Sequence, residues 1–131
     1  MNSNHQQIRQ NDLASAAILV LIVLTSVMLC ALYSRTAPHP PLEVAPFAIG
    51  PFLGASLAIG AAAFMLVRQD ASYAIAIAVL FALTAMVSFG PHKYFDPAFG
   101  RIWPAVITAQ LATLVIVYWA FTTWRQMRSA E

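Results

Sequence analysis

The sequence predicts an all-α fold in which four transmembrane helices form a bundle, and composition and segment length both support it. Of the 131 residues, 60% are hydrophobic and only 9% are charged, against about 25% charged in an ordinary soluble domain. A soluble fold could not cover that much apolar surface. A helix needs about 20 apolar residues to cross a hydrocarbon core, and four segments meet that length. We therefore treat residues 1–131 as a single integral membrane domain.

The four predicted spans lie at 13–34, 46–67, 71–89 and 102–123. No Asp, Glu, Lys, Arg or His lies in the first three, and none lies between Trp103 and Trp124 in the fourth. A helix is favoured because it pairs every backbone amide locally where no water is present. A secretory signal peptide is the alternative for the first segment, but its apolar region is typically only about 7 to 15 residues long. We expect this segment to be retained.

The first two connections agree with four spans. Residues 36–45 contain three prolines, which prevent helix continuation and favour an extended segment. Residues 68–70 form a turn so short that spans two and three must be antiparallel neighbours.

The third connection, residues 90–101, is predicted to be an ordered cap on the membrane surface. Asp96 followed by Pro97 is typical of a helix start, with the acid as N-cap and proline at the first helical position. Phe99, Ile102 and Trp103 then fall on one helical face, which predicts a short interfacial amphipathic turn before the fourth helix. Pro104 either kinks that helix or marks the true start of span four.

Charge distribution favours one orientation and excludes one class of partner. The seven basic residues and five acids are spread along the chain without a run that would bind nucleic acid. Basic residues on the side of both termini outnumber those on the other by one, which favours cytoplasmic termini in a bacterial-type cell membrane. The two sets are Arg9, Arg68, Arg125 and Arg128, against Arg35, Lys93 and Arg101.

Span two carries small residues at every fourth position: Gly50, Gly54, Ala58 and Ala62. Membrane helices associate through close backbone approach at such residues. This ridge either packs spans two and three together or forms a subunit interface. In the first case Gly54→Leu is expected to destabilise the protein more than Gly60→Leu.

Polar candidates are few. Gln110 is the most polar residue within a span, and it either makes an interhelical hydrogen bond or lines a substrate or quinone path. On the side of the connections, His39, Glu43, His92 and Asp96, with Lys93, are able to form a zinc-type or proton-handling site. Their spacing matches no metal motif, and loop histidines are usually just solvated, so no metal or cofactor is predicted.

Three functional hypotheses remain. The first is a non-enzymatic subunit or assembly factor of a membrane complex, whose partners are the lipid bilayer and other copies or other membrane subunits. The second is a small homo-oligomeric permease or channel that uses Gln110 and hydroxyl side chains. The third is a membrane enzyme or redox subunit built on the connection-side polar group.

Overall fold

The computed structural model describes residues 2–38 and 46–129, and helices make up its regular structure there. Four α-helices follow in chain order: α1 (Asn2–Ser34), α2 (Pro46–Arg68), α3 (Ala74–Phe89) and α4 (Phe99–Ser129). A short 3₁₀ helix (Pro91–Phe95) lies between α3 and α4. Each of the four, the third together with the 3₁₀ helix, is long and apolar enough to cross a membrane. The all-α four-helix fold is confirmed, and the chain has the architecture of a multi-pass membrane protein.

Several helix ends differ from the predicted spans, and α4 also continues past residue 123 to Ser129. Helix α1 begins at Asn2 rather than Leu13, because the polar leader continues the same helix. Helix α3 begins at Ala74 rather than Ala71. Helix α4 begins at Phe99 and contains Pro104, so this proline is neither a start nor a stop. The short element before α4 is the 3₁₀ helix. Phe99, which was predicted to belong to a separate interfacial turn, is the first residue of α4.

The helices form an antiparallel ring. Helix α1 packs on α2, α2 on α3, and α3 on α4, while α4 closes against α1 and the diagonal pair α1 and α3 barely touch. Residues 2 and 129 therefore lie at the same end of the bundle, which we call the termini end. The opposite end, where the 3₁₀ helix lies, is called the connection end.

Small residues let the helices approach one another in the core. Helix α3 buries Ala74, Ala78, Ala82 and Ala85 along one stripe. Phe81, fully buried, fills the space beside Gly60 of α2, where an added Cβ would lie only 2.7 Å from the ring. The α2–α3 crossing is therefore close because glycine meets an aromatic ring there.

The turn between α2 and α3 places an acidic side chain at the termini end. Asp70 has a φ of 52°, a left-handed conformation that aspartate tolerates better than most residues. The amide of Asp70 donates to the carbonyl of Val67, and that of Ala71 donates to the carbonyl of Leu66. This double hydrogen bond is a Schellman motif, which satisfies the last carbonyls of α2 and turns the chain toward α3.

Candidate functional site

Asp96 accepts a backbone hydrogen bond immediately before α4, as expected of a capping acid, but α4 begins at Phe99 and not at Pro97 as the sequence predicted. Its Oδ1 accepts a hydrogen bond from the Ala98 amide at 2.9 Å, and its Oδ2 accepts one from Lys93 Nζ at 3.1 Å. Both bonds favour the charged carboxylate, the amide more than the lysine, so the pKa of Asp96 is lowered from its ordinary value. The carboxylate is therefore ionised at neutral pH and joins the 3₁₀ helix to α4.

Gln110 makes the interhelical hydrogen bond that was one of its two predicted roles. Its Nε2 donates to the carbonyl of Phe89 at 3.2 Å, and its Oε1 accepts from the hydroxyl of Tyr94 at 2.6 Å. The Tyr94 ring also meets Phe99 edge to face, with centroids 5.2 Å apart. Gln110 thus satisfies the last carbonyl of α3 and holds the 3₁₀ helix against α4. Both polar atoms of its amide are engaged in this link.

A cavity of about 220 Å³ lies below this cap, between α1 and the start of α4. Apolar side chains form most of its described walls: Leu24, Val27, Met28 and Ala31 from α1, and Ala98, Ile102 and Ala105 at the α4 end. Ser88, Lys93 and Asp96 are the polar residues of that lining. An apolar space with a few polar groups at one end is the usual form of a small-molecule or lipid site.

Two of the four residues predicted to form a polar site at the connection end, His92 and Asp96, lie in the part of the chain that the structure describes. His39 and Glu43 lie outside the described residues. His92 is exposed on the 3₁₀ helix and Asp96 is half-buried beside it. Among residues 2–38 and 46–129, no three His, Cys, Asp or Glu side chains come together in a way that would hold a metal ion.

The small-residue ridge of α2 does not pack against α3, so that interpretation was wrong. Gly54, Ala58 and Ala62 are all exposed on the outside of the bundle, and nothing lies within 4 Å of a Cβ added at Gly54. Gly50 is buried, but its neighbour is the Tyr33 ring of α1. The ridge therefore crosses from an inner face at its start to an outer face at its end.

A polar network at the termini end was missed from the sequence. Asn11 Oδ1 accepts hydrogen bonds from Gln7 Nε2 at 3.1 Å and from Trp119 Nε1 at 3.0 Å, while Asn11 Nδ2 donates to Asp70 Oδ1 at 3.2 Å. One asparagine thereby joins α1, α4 and the α2–α3 turn. Trp119 is 4% exposed, so its indole lies inside the bundle with this network and does not face lipid.

An ion pair completes the network on the surface. Arg68 Nη1 lies 2.7 Å from Asp12 Oδ1, and both side chains are more than half exposed, so the pair contributes little to stability. This pair could have been predicted from the sequence. With four spans, the end of α2 lies at the same end of the bundle as the polar residues before the first span, so Arg68 and Asp12 come close together.

Comparison with protein-family models, with curated proteins and with solved structures finds no match to this chain. The functional conclusion therefore depends on the geometry above. That geometry provides an exposed face of small residues on α2, an apolar cavity with a charged end, and two sets of side-chain hydrogen bonds, through Gln110 and through Asn11, that join elements at the two ends of the bundle.

Proposed function

We infer that this chain is a small non-enzymatic subunit or assembly factor of a larger membrane complex, and that a partner helix docks on the outer face of α2. The observation that carries this proposal is the composition of that face. Between residues 54 and 62, every exposed position of α2 is glycine or alanine: Gly54, Ala55, Ala58, Ala61 and Ala62.

The other three helices present a different outer surface. Their exposed residues include large apolar side chains: Leu19, Val20 and Val23 on α1, Leu80, Leu83 and Val87 on α3, and Leu111, Leu114 and Phe121 on α4. Large flexible side chains suit contact with lipid tails, whereas small ones let another helix backbone approach closely and gain van der Waals contact. The contrast within one bundle supports α2 as the docking helix.

The polar residues support a non-catalytic role. An ionisable side chain at membrane depth is costly and is usually retained for transport or catalysis, and the four predicted spans contain no Asp, Glu, Lys, Arg or His. Gln110 uses its amide to hold Tyr94 and the end of α3. The permease or channel alternative needs Gln110 and hydroxyl side chains to line a polar path, and it therefore loses the support of Gln110.

Orientation is part of the proposal. Arg125 lies over the Phe121 ring and Arg128 over the Trp124 ring, at 5.7 Å and 4.4 Å from their centroids. These pairs put two cations beside aromatic rings at the termini end, an arrangement suited to an interface with anionic headgroups. We place both termini in the cytoplasm of a bacterial-type cell. Reporter fusions test this: fusions after Gln69 and after Glu131 should both report the cytoplasm, and a fusion after Lys93 should report the opposite side.

Purification of the tagged protein from its own membranes in mild detergent, followed by native mass measurement, tests the docking face. We expect a foreign subunit at fixed stoichiometry that is lost in Ala58→Leu. The matched control is Ala76→Leu, which puts the same side chain at an exposed alanine of α3 and should keep the partner. A uniform homo-oligomer broken by Ala58→Leu would favour the permease or channel. A monomer, or loss of the partner in both variants, would refute docking on α2.

A further inference from the structure

The cavity at the connection end opens sideways to the surface that meets lipid. Val27, one of its wall residues on α1, is 61% exposed, while Ser88 on the opposite wall is 8% exposed. The cavity therefore runs inward from the outside of the bundle toward the end of α3. Its described lining includes residues of α1, α3, α4 and the connection, so it lies apart from the docking face on α2.

The size of the cavity restricts what it can hold. A volume of about 220 Å³ is below the roughly 300 to 1,000 Å³ of pockets that enclose a drug-sized ligand. A whole drug-sized ligand would therefore not be enclosed. A flexible apolar chain would fit in part, because its remainder stays in the bilayer next to the opening.

The polar end of the cavity has spare capacity for an anion. Asp96 has hydrogen bonds on both carboxylate oxygens, one from Lys93 and one from the Ala98 amide. An ammonium group has three N–H donors, and the bond to Asp96 uses one. Arg101 is exposed and directly precedes the wall residue Ile102 in α4, although it does not belong to the cavity lining. Lys93 and Arg101 together outnumber the single carboxylate of Asp96 in this part of the chain.

We propose that this cavity binds one acyl chain of an anionic phospholipid, whose phosphate contacts the Lys93 ammonium. The apolar walls select the chain, the lateral opening admits it from the bilayer, and the Lys93 ammonium selects the headgroup. The site does not depend on the α2 docking face, because it uses other helices.

Native mass spectrometry from nanodiscs containing equal amounts of phosphatidylglycerol and phosphatidylcholine tests the proposal. The wild-type protein should retain one lipid, mainly phosphatidylglycerol. Ala31→Leu and Ala105→Leu fill the cavity from opposite walls, and each should reduce the retained lipid at least about fivefold, a factor that corresponds to about 1 kcal/mol of binding. Ala76→Leu, on the outer face of α3 and outside the cavity lining, should leave retention unchanged.

A second pair of variants tests the proposed contact between the lipid phosphate and Lys93. Lys93→Gln should bring the ratio of the two bound lipids close to one, while Asp96→Asn, which breaks the same ion pair but keeps the lysine charge, should preserve the preference for phosphatidylglycerol. Equal loss of preference in both variants would refute the lysine contact. Unchanged lipid retention in either folded cavity-filling variant, judged by its melting temperature, would refute the acyl-chain site. Two variants on different helices keep that test decisive if one fails to fold.

Discussion

Replacing Gly60 with alanine adds a single Cβ atom to the bundle core and so tests how closely α2 and α3 are packed there. The new Cβ would lie 2.7 Å from Cζ of Phe81, 2.8 Å from its Cε2, and 3.0 Å from Cγ1 of Ile22. Because the Phe81 side chain is fully buried, its ring cannot move aside without displacing other core residues. Overpacking of this kind costs about 1 to 3 kcal/mol.

Gly54→Ala is the matched control, because it makes the same chemical change in the same helix at a site with open space around it. Alanine is favoured over glycine inside a helix by roughly 0.5 to 1 kcal/mol, and that gain is common to both variants. The difference between them therefore isolates the packing cost. We expect Gly60→Ala to be less stable than Gly54→Ala by about 1 to 3 kcal/mol.

Unfolding in mixed micelles with increasing sodium dodecyl sulfate, followed by circular dichroism, measures this difference. The midpoint for Gly60→Ala should fall below that of the wild type, and the midpoint for Gly54→Ala should be equal to it or higher. If the two variants unfold at the same midpoint, α2 and α3 do not cross at Gly60, and the packed face of α2 has to be reassigned.

Three further predictions concern the polar links. Gln110→Leu leaves the last carbonyl of α3 unpaired and should cost about 1 to 3 kcal/mol, whereas Thr108→Leu at an exposed site should cost clearly less; equal costs would show that the link is not stabilising. In a double-mutant cycle, Asn11→Ala and Trp119→Phe should be coupled by about 0.5 to 1.5 kcal/mol, and strictly additive effects would show that the indole does not bond to the amide. The pKa of Asp96 is lowered in the folded state, so its contribution is complete above the ordinary Asp pKa of about 3.9 and is lost as the pH falls through the folded value. The stability difference between the wild type and Asp96→Asn should therefore stay constant from pH 8 to 5 and shrink only below about pH 4, and a decrease beginning near neutral pH would assign the titration to another group.

The helix count could be predicted because hydropathy reports directly on what a bilayer requires of a spanning segment. The start of α1 could not be predicted in this way. The apolar segment begins at Leu13, whereas the helix also includes the polar residues before it and begins at Asn2. Local hydrogen-bond chemistry was also predictable. Asp96 accepts a hydrogen bond from the amide two residues on, in the turn that leads into α4, and that bond depends only on neighbours in the sequence.

The packed face of α2 was mispredicted for a geometric reason. An α-helix has about 3.6 residues per turn, so a residue four positions on lies about 40° further around it. Three such steps, from Gly50 to Ala62, rotate the ridge by about 120°. A four-residue repeat therefore cannot keep one neighbour over that length. The buried face of α2 alternates three- and four-residue steps and therefore runs along the helix axis. It consists of Leu53, Ser56, Gly60, Ala63 and Val67.

The termini-end network escaped prediction because it is not local. Asn11, Asp70 and Trp119 are far apart in the chain and meet only once four helices close into a ring. No motif identifies such a set. The helix order limits the search to residues at one end of the bundle, but the choice of partner among them depends on side-chain geometry.

The two ends of the bundle are held together by different forces. At the termini end, side-chain hydrogen bonds through Asn11 connect α1 to α4 and to the α2–α3 turn. At the connection end, Gln110 and Asp96 hold the 3₁₀ helix to α4, whereas α1 meets α4 there through the apolar walls of the cavity. Among the described residues, separating α1 from α4 at this end breaks no side-chain hydrogen bond. Because apolar contacts with a neighbouring helix and with an acyl chain are close to equivalent in lipid, a lipid chain can enter between α1 and α4 at little cost, while the network at the termini end keeps the two helices together.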